Sequence, residues 1–275
     1  MKTKRVVVIT GASSGIGLAA AKHFISRGDV VYNLSRTQNS DIDIKFIKTD
    51  VTKSDEIRAA FDLIIKQEKR IDVLINNAGI GISGSSECTK TEDIKKMFDV
   101  NFTGLADCCA AVIPHLRYQV AYDKVKKAKH ARPIIINISS LAAVFPLAFQ
   151  SFYSASKAAV TNYTNALRTE IKPFGIRTCS VQLGDIKTDF TANRKKNQVE
   201  NDAYGDRIEK IIKKYEQDEI HGVLPEVIAK KLYRLSHKKN PKPVVVFGFG
   251  NKFLVCLSRI LPVRVTLWIL SKMYS

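Results

Sequence analysis

The feature that most restricts the fold of this chain is the segment RVVVITGASSGIG at residues 5–17. A run of β-branched residues ends in a glycine-rich turn, and helical spacing begins directly afterwards, over residues 16–28. Continuous β-branched runs are typical of strands buried on both faces of a parallel sheet. The segment therefore predicts the first strand, turn and helix of an α/β protein.

The same alternation continues along most of the chain. Further strands are predicted at 29–36, 71–79, 132–140, 176–184 and 241–248, and further helices at 54–69, 91–116, around 153–157 and at 225–238. Alternating strands and helices imply right-handed crossovers and a parallel sheet that is covered on both faces. We predict a single Rossmann-type domain over 1–275 with a doubly wound parallel sheet. The basic segment 117–132 is interpreted as a helical extension or a loop.

The turn at residues 10–17, TGASSGIG, is suited to a phosphate group. Gly11, Gly15 and Gly17 allow a tight turn and a close approach of the backbone, and the N-terminus of the next helix offers unpaired N–H groups. The spacing G-x-x-x-G-x-G differs from the G-x-G-x-x-G dinucleotide fingerprint. Its position after a β-branched strand nevertheless favours a pyrophosphate site over a structural turn.

The end of the second strand bears on the choice of dinucleotide. NAD sites commonly place an acidic residue about 20 residues after the glycines, to bind the ribose 2′-hydroxyl. Here Ser35 and Arg36 occupy that place, and no carboxylate follows before Asp41. An arginine there can pair with a 2′-phosphate, which predicts NADP(H) over NAD(H). The alternative is a solvated arginine at the end of a strand.

The segment YSASK places Tyr153 and Lys157 four residues apart in a predicted helix. Side chains at this spacing lie on the same face of a helix. The pair is either a solvated surface pair or a phenol whose acidity the ammonium changes, and these five residues alone do not decide between the two.

Five motifs in order resolve this question by resemblance. TGASSGIG, NNAG at 76–79, Asn101, NISS at 137–140 and YSASK resemble the short-chain dehydrogenase/reductase family, over roughly residues 4–190. The resemblance implies a catalytic set of Asn101, Ser140, Tyr153 and Lys157. Ser140 is preferred to Ser139 because family members usually place the serine thirteen residues before the tyrosine.

The resemblance also implies roles in the reaction and in cofactor binding. Tyr153 would exchange a proton with the substrate oxygen, its pKa lowered by Lys157 and by an oxidised nicotinamide. Lys157 would bind the nicotinamide ribose, Ser140 the substrate oxygen, and Asn101 a water in the proton path. The implied cofactor-binding residues are Gly11, Ser13, Ser14, Gly15, Ile16, Gly17, Ser35, Arg36, Asp50, Val51, Asn77, Ala78, Gly79, Tyr153, Lys157 and Thr188. Leu183 stands where the family commonly has proline, in the turn that leads to Thr188.

Composition adds limits on partners and compartment. The net charge of +18 favours anionic partners, but the basic segments show no nucleic-acid motif, so no specific nucleic-acid binding is expected. The five cysteines and five histidines show no metal-ligand spacing, and no metal is predicted. The odd cysteine count and the absence of a signal-peptide pattern predict a cytoplasmic protein. Family members often pair through helices corresponding to 91–116 and the YSASK helix, so a homodimer or homotetramer is expected.

Two segments are predicted to shape the substrate site. Residues 189–223 read as a mobile loop or lid. Residues 249–275 form an apolar, basic extension, interpreted as a helix pair packed on its own core or on a dimer partner, as a lid, or as a peripheral membrane contact. These features favour a hydrophobic carbonyl or alcohol, such as a steroid, retinoid or fatty-acyl carbonyl.

The sequence thus predicts an NADP(H)-dependent oxidoreductase that interconverts a ketone or aldehyde and an alcohol. The alternative is a non-catalytic dinucleotide sensor or scaffold on the same fold. Loss of Tyr153 or Lys157 would be its signature, and both residues are present.

Overall fold

The computed structural model describes residues 4–38, 42–128, 130–197 and 203–273. Within these ranges the strands are β1 (Val6–Thr10), β2 (Val30–Ser35), β3 (Lys45–Lys48), β4 (Val73–Asn76), β5 (Ile82–Ser83), β6 (Ile134–Ser140), β7 (Arg177–Leu183), β8 (Lys195–Lys196) and β9 (Val244–Val246). Seven of them form a parallel sheet in the order β3-β2-β1-β4-β6-β7-β9, and β5 pairs with β8 in a separate parallel ribbon. This is the predicted doubly wound architecture.

The centre of the sheet determines where a ligand can bind. β1 pairs with β2 on one side and with β4 on the other, so that Val8 lies beside both Tyr32 and Leu74. The chain order reverses at the junction of β1 and β4, and ligands of open parallel sheets bind beyond the carboxyl ends of the strands at such a point. The glycine turn after β1 and the NNAG turn after β4 lie there.

Helices cover both faces of the sheet. They are α1 (Gly15–Ser26), α2 (Ser54–Glu68), α3 (Thr91–Phe98), α4 (Gly104–Val125), α5 (Ser151–Ile171), α6 (Arg207–Ile220), α7 (Pro225–Ser236), α8 (Phe249–Ser258) and α9 (Val263–Met273). Apolar residues of α2, α4 and α5 form one core cluster with the sheet, and those of α1 and α7 form the other. Burial of these two apolar layers is the main force that holds the domain together.

Three details differ from the sequence-based prediction. The helix expected over 91–116 is interrupted by a π-helical turn, Asp99–Thr103, and then continues to Val125. The predicted strand at 71–79 is shorter, because residues 77–79 form the turn beside the glycine motif. The edge strand β3 was missed: its sequence KFIK places exposed lysines at both ends of a short run, which is typical of a protected sheet edge.

Candidate active site

The glycine turn after β1 forms a cradle at the N-terminus of α1. Gly11 and Gly15 have positive φ angles of 67° and 53°, which side-chain-bearing residues rarely adopt. A Cβ atom on Gly17 would lie 2.3 Å from the carbonyl oxygen of Gly11. No side chain caps the start of α1, and its first turn contains no acidic residue. The backbone N–H groups and the positive end of the helix dipole therefore fit a pyrophosphate.

The turn after β4 is fixed directly to this cradle. The hydroxyl of Thr10 accepts hydrogen bonds from the backbone N–H groups of Asn77 (2.9 Å) and Ala78 (3.0 Å). The side-chain amide of Asn77 donates to the carbonyl oxygens of Thr10 and Gly11, both at 3.1 Å. These bonds join the two turns that face each other across the switch point, so the predicted residues Asn77, Ala78 and Gly79 line the same cleft as the glycine motif.

The same cleft contains further residues predicted to bind the cofactor. Ser13, Ser14, Ile16, Ser35, Arg36, Asp50 and Val51 all line it. Arg36 is exposed there, whereas the Ser35 hydroxyl donates to the carbonyl oxygen of Thr37 at 2.7 Å. Burial acts to raise the pKa of Asp50, but hydrogen bonds from Thr52 and the nearby charge of Arg36 bring it below its usual value. Asp41, the next carboxylate after Arg36, lies outside the described residues.

Tyr153 and Lys157 lie one turn apart near the start of α5, and both side chains reach the cleft. The Lys157 Nζ atom is 5.8 Å from the centre of the Tyr153 ring. Burial raises the pKa of Tyr153 to about 12, while a hydrogen bond with Ser140 acts in the opposite direction. The expected lowering by Lys157 is therefore wrong for the environment that the chain itself provides, because desolvation of the phenolate outweighs the polar contacts.

Lys157 is buried, and its ammonium has one protein partner within the described part of the chain. Its Nζ atom donates to the carbonyl oxygen of Ile138 at 3.2 Å. Burial lowers the pKa of Lys157 to about 8. A lysine in this condition can exchange a proton near neutral pH, which an exposed lysine cannot.

Adjacent serines at the end of β6 have different environments. The Ser140 side chain is hydrogen-bonded to Tyr153 and accepts from the backbone N–H of Ala142 at 3.1 Å. Ser139 points away from the phenol: its hydroxyl donates to the carbonyl oxygen of Lys157 at 2.9 Å and pairs with the hydroxyl of Thr161 at 2.8 Å. Ser140 thus faces the cleft, and Ser139 fastens α5 to the sheet.

Asn101 lies in the π-helical turn and is fully buried. Its Oδ1 atom accepts from the backbone N–H of Ile80 at 2.8 Å, and its Nδ2 atom donates to the Ile80 carbonyl oxygen (3.0 Å) and the Ser156 hydroxyl (3.1 Å). π-helical turns of this kind frequently occur at functional sites. Here the turn brings Asn101 to Gly79, where a Cβ atom would lie 3.3 Å from Asn101 Oδ1 and 3.6 Å from Lys157 Nζ.

Thr188 closes the cleft from the opposite side. A Cβ atom on Gly15 would lie 3.5 Å from the Thr188 side chain, so this threonine sits over the phosphate cradle. The Thr188 hydroxyl accepts from the backbone N–H of Phe190 at 3.3 Å. Replacement of the family's proline by Leu183 has therefore not moved Thr188 out of the site.

The segment predicted as a lid runs from 189 to 223, and its residues 198–202 lie outside the described part. Phe190 packs at 5.9 Å from the Tyr153 ring, and the guanidinium of Arg194 lies 5.7 Å from the Phe190 ring. Arg194 is buried and donates to Glu219, which also accepts from the Thr191 hydroxyl. This ion pair joins both ends of the segment. Sequence reasoning missed it, because nothing local marks two residues 25 positions apart as partners.

Most of these residues border one cleft with a volume of about 1490 Å³, but the buried residues Gly17, Asn101 and Arg194 do not line it. Single drug-sized ligands usually occupy roughly 300–1,000 Å³, so the cleft has room for a dinucleotide and a substrate together. Its substrate end has an apolar wall from α8, α9 and the turn between them, and an acidic group near the substrate position. The wall contains Leu254, Leu257, Leu261, Ile269, Leu270 and Met273, and the acidic group contains Asp185, Asp218 and Glu219.

Comparisons with known proteins agree with this geometry. Residues 5–199 match the family described as short chain dehydrogenase. A 3-ketodihydrosphingosine reductase of Bacteroides thetaiotaomicron is 38% identical over 240 residues, which cover 86% of this chain and 85% of the relative. A probable short-chain type dehydrogenase/reductase of Helicobacter pylori is 33% identical over 94% of this chain and 93% of its own length.

Solved structures agree on the fold. The crystal structure of a short-chain dehydrogenase from Streptomyces avermitilis superposes with a TM-score of 0.82 and 24% identity, covering 99% of this chain and 98% of that chain. Among the described residues, no helix is both long and apolar enough to cross a bilayer. By the extent of the family match and the identity to its relatives, the chain belongs to the short-chain dehydrogenase/reductase family of oxidoreductases.

Proposed function

We propose that the protein is an NADPH-dependent reductase of long-chain, apolar ketones, with Tyr153 as the proton donor. The observation that carries this proposal is that Tyr153, Lys157 and Ser140 line one cleft together with the phosphate cradle and an apolar wall, while the buried Asn101 is bonded to Ile80 in the cleft lining. When bound, the nicotinamide dinucleotide would supply the hydride.

The protein groups would act on the oxygen of the substrate. Ser140 is placed to hold the carbonyl oxygen beside the Tyr153 hydroxyl, to which it is hydrogen-bonded. With a pKa of about 12, Tyr153 is protonated at neutral pH and can give its proton to the developing alkoxide. The reverse reaction would need the phenolate, whose formation this burial disfavours.

The proton that Tyr153 loses must be replaced from the other side. Lys157, with a pKa of about 8, is largely an ammonium at pH 7 and can supply a proton without a large energetic cost. Asn101 fixes the backbone of Ile80 next to Gly79, where a Cβ atom would lie 3.6 Å from Lys157 Nζ. Asn101 is therefore assigned as a positioning residue for the proton path.

Arg36 supports NADPH as the preferred cofactor. It is exposed in the cleft at the end of β2, close enough to Asp50 to affect the pKa of that carboxyl. A 2′-phosphate would add an anion beside this arginine, whereas the 2′-hydroxyl of NADH would leave Arg36 without that partner.

The apolar wall and the acidic group at the substrate end of the cleft support the proposed substrate class. The leucines of α8 and α9 suit an alkyl chain, and burial together with Asp218 and Glu219 raises the pKa of Asp185. A positively charged amino group near the ketone would relieve this repulsion. The similarity to a 3-ketodihydrosphingosine reductase supports a long-chain amino ketone as the first compound to test.

The activity is tested by following NADPH oxidation with 3-ketodihydrosphingosine, a steroid ketone, a retinal and a β-ketoacyl thioester. Turnover of an apolar ketone that Tyr153→Phe lowers by about 100-fold or more is expected, since a general acid contributes roughly that factor. Phe152→Tyr, which adds a phenol at the neighbouring position, is a control that should not restore activity to Tyr153→Phe. No turnover of any compound would favour the non-catalytic sensor.

The cofactor assignment is tested by fluorescence titration with NADPH and with NADH. Wild type should bind NADPH at least about tenfold more tightly than NADH, because one charged hydrogen bond to a phosphate contributes binding energy of that order. Arg36→Ala should remove this difference in affinity. Lys53→Ala, which removes another cation beside Asp50, is the matched control. Equal affinities of wild type for NADPH and NADH would show that Arg36 does not bind the 2′-phosphate.

A further inference from the structure

The C-terminal helix pair, α8 and α9, has two faces of different character. Its inner face lies against the domain: Val255 is buried, and Leu257 and Leu270 line the cleft. The start of α8 contacts the domain at Asn251, because a Cβ atom on Gly184, after the end of β7, would lie 2.8 Å from Asn251 Nδ2. The end of α9 is held by Lys214, which donates to the Met273 carbonyl oxygen. The pair is thus docked on the domain and forms part of the substrate wall.

The outer face of the same helices is apolar and exposed. Phe249 is 90% exposed, Ile260 77%, Val263 73%, and both Phe253 and Trp268 62%. Phe249 and Phe253 are four residues apart and therefore lie on the same side of α8. Single exposed apolar residues are common on soluble proteins, but several large ones on two consecutive helices and the turn between them indicate an interaction surface.

The positive charge of the C-terminal segment indicates what kind of partner this outer face would bind. From residue 228 to the C-terminus the sequence contains ten lysines and arginines and no acidic residue. Within the helix pair, exposed Lys252, Arg259 and Arg264 are interspersed with the apolar side chains. Apolar residues interleaved with cations are typical of helices that lie in the interface of an anionic bilayer. A second copy of this chain would bring the same cations against one another in a two-fold interface.

We propose that the outer face of the C-terminal helix pair docks on an anionic lipid bilayer, with Phe249, Phe253 and Trp268 inserted at the headgroup level. The inner face of the same helices lines the cleft, so docking places the apolar end of the substrate site beside the bilayer. Docking itself does not depend on the reaction. If the protein docks in this way, a ketone substrate can enter the cleft from the bilayer, and this consequence rests on the proposed function.

The test is co-sedimentation of the full chain with vesicles of phosphatidylcholine alone or mixed with about a third phosphatidylserine, an anionic lipid. Neither NADPH nor ketone is present, so failure of the reaction cannot affect the result, and Tyr153→Phe should bind as wild type does. Wild type should bind the anionic vesicles about tenfold or more tightly than the zwitterionic ones, and added salt should weaken this binding.

Two pairs of variants separate the apolar and electrostatic contributions. Phe253→Ser with Trp268→Ser, and separately Arg259→Gln with Arg264→Gln, should each lower vesicle affinity about tenfold or more. Their controls make equal changes elsewhere: Tyr118→Ser with Tyr122→Ser removes two exposed aromatic residues from α4, and Arg58→Gln with Lys66→Gln removes two exposed charges from α2. Thermal melting of each variant verifies that it is folded.

Three results would overturn the proposal. Wild type could fail to sediment with anionic vesicles at low salt. The α2 and α4 controls could lose as much binding as the helix-pair variants, which would make the attraction a property of the net charge. Light scattering could show a dimer that Phe253→Ser with Trp268→Ser dissociates, which would assign the face to a second copy of the chain.

Discussion

The buried ammonium of Lys157 should make the wild-type protein less stable than a variant that lacks it. Burial lowers the pKa of this lysine from 10.5 to about 8. One pKa unit corresponds to about 1.4 kcal/mol, so keeping the lysine charged in the folded protein at pH 7 costs about 3 kcal/mol. Lys157→Met retains most of the apolar stem and removes this cost. It also removes the hydrogen bond to Ile138, which contributes about 1 kcal/mol.

The net gain and its pH dependence follow from these two contributions. At pH 7 Lys157→Met should raise the free energy of unfolding by about 2 kcal/mol. Between the folded pKa of about 8 and the unfolded value of 10.5, the unfolded wild type binds the proton that the folded wild type has lost. The stability of wild type therefore rises with pH in this window relative to the variant. Above pH 10.5, the pKa of the lysine in the unfolded chain, Lys157→Met should no longer be more stable than wild type.

The measurement is urea unfolding of wild type and Lys157→Met at several pH values from about 6 to about 10.5, the range over which the lysine titrates. Lys172→Met, an exposed lysine after the end of α5, is the control and should show no such pH-dependent difference. The variant should lose reductase activity while it gains stability, as is common at functional sites. A destabilised variant at pH 7, or a difference that does not change with pH, would refute the reasoning.

Three further results are expected. Ser140→Ala should lower kcat about 100-fold with little change in stability. Ser139→Ala should lower the free energy of unfolding by about 1 kcal/mol because its hydrogen bond to α5 is lost, and equal effects of the two variants on kcat would contradict these separate roles. Gly17→Ala should weaken NADPH binding at least about tenfold and lower Tm, because its Cβ meets a carbonyl oxygen, while Gly250→Ala in open space should not. Asp185→Asn should raise KM for an amino ketone but not for a neutral ketone, and an equal rise for both would remove Asp185 from substrate recognition.

Local patterns predicted the sheet, and the resemblance to the family supplied the candidate catalytic residues. The spacing of Tyr153 and Lys157 fixes their common helix face, and the glycines after β1 require the turn that the structure contains. These features depend on a few neighbouring residues, so a pattern in the sequence is enough to locate them. The assignment of Ser140 rather than Ser139 agrees with the side on which each hydroxyl lies.

Features that depend on distant residues or on burial were not predictable in this way. The π-helical turn at Asn101 and the ion pair between Arg194 and Glu219 need the packed fold. The direction of the Tyr153 pKa shift depends on how much water the fold removes from the phenol, which the presence of a neighbouring lysine does not reveal. The C-terminal segment was left with three interpretations, and only the structure separates its inner face from its outer one.

The most direct test of the account is transfer of deuterium to a long-chain ketone from NADPH that carries deuterium in both positions at the nicotinamide C4. Mass spectrometry of the alcohol should find one deuterium at the carbinol carbon with wild type, and Tyr153→Phe should still bind NADPH but form almost no product. No labelled alcohol from wild type with any of the four carbonyl classes, or equal product from wild type and Tyr153→Phe, would contradict the proposed reduction.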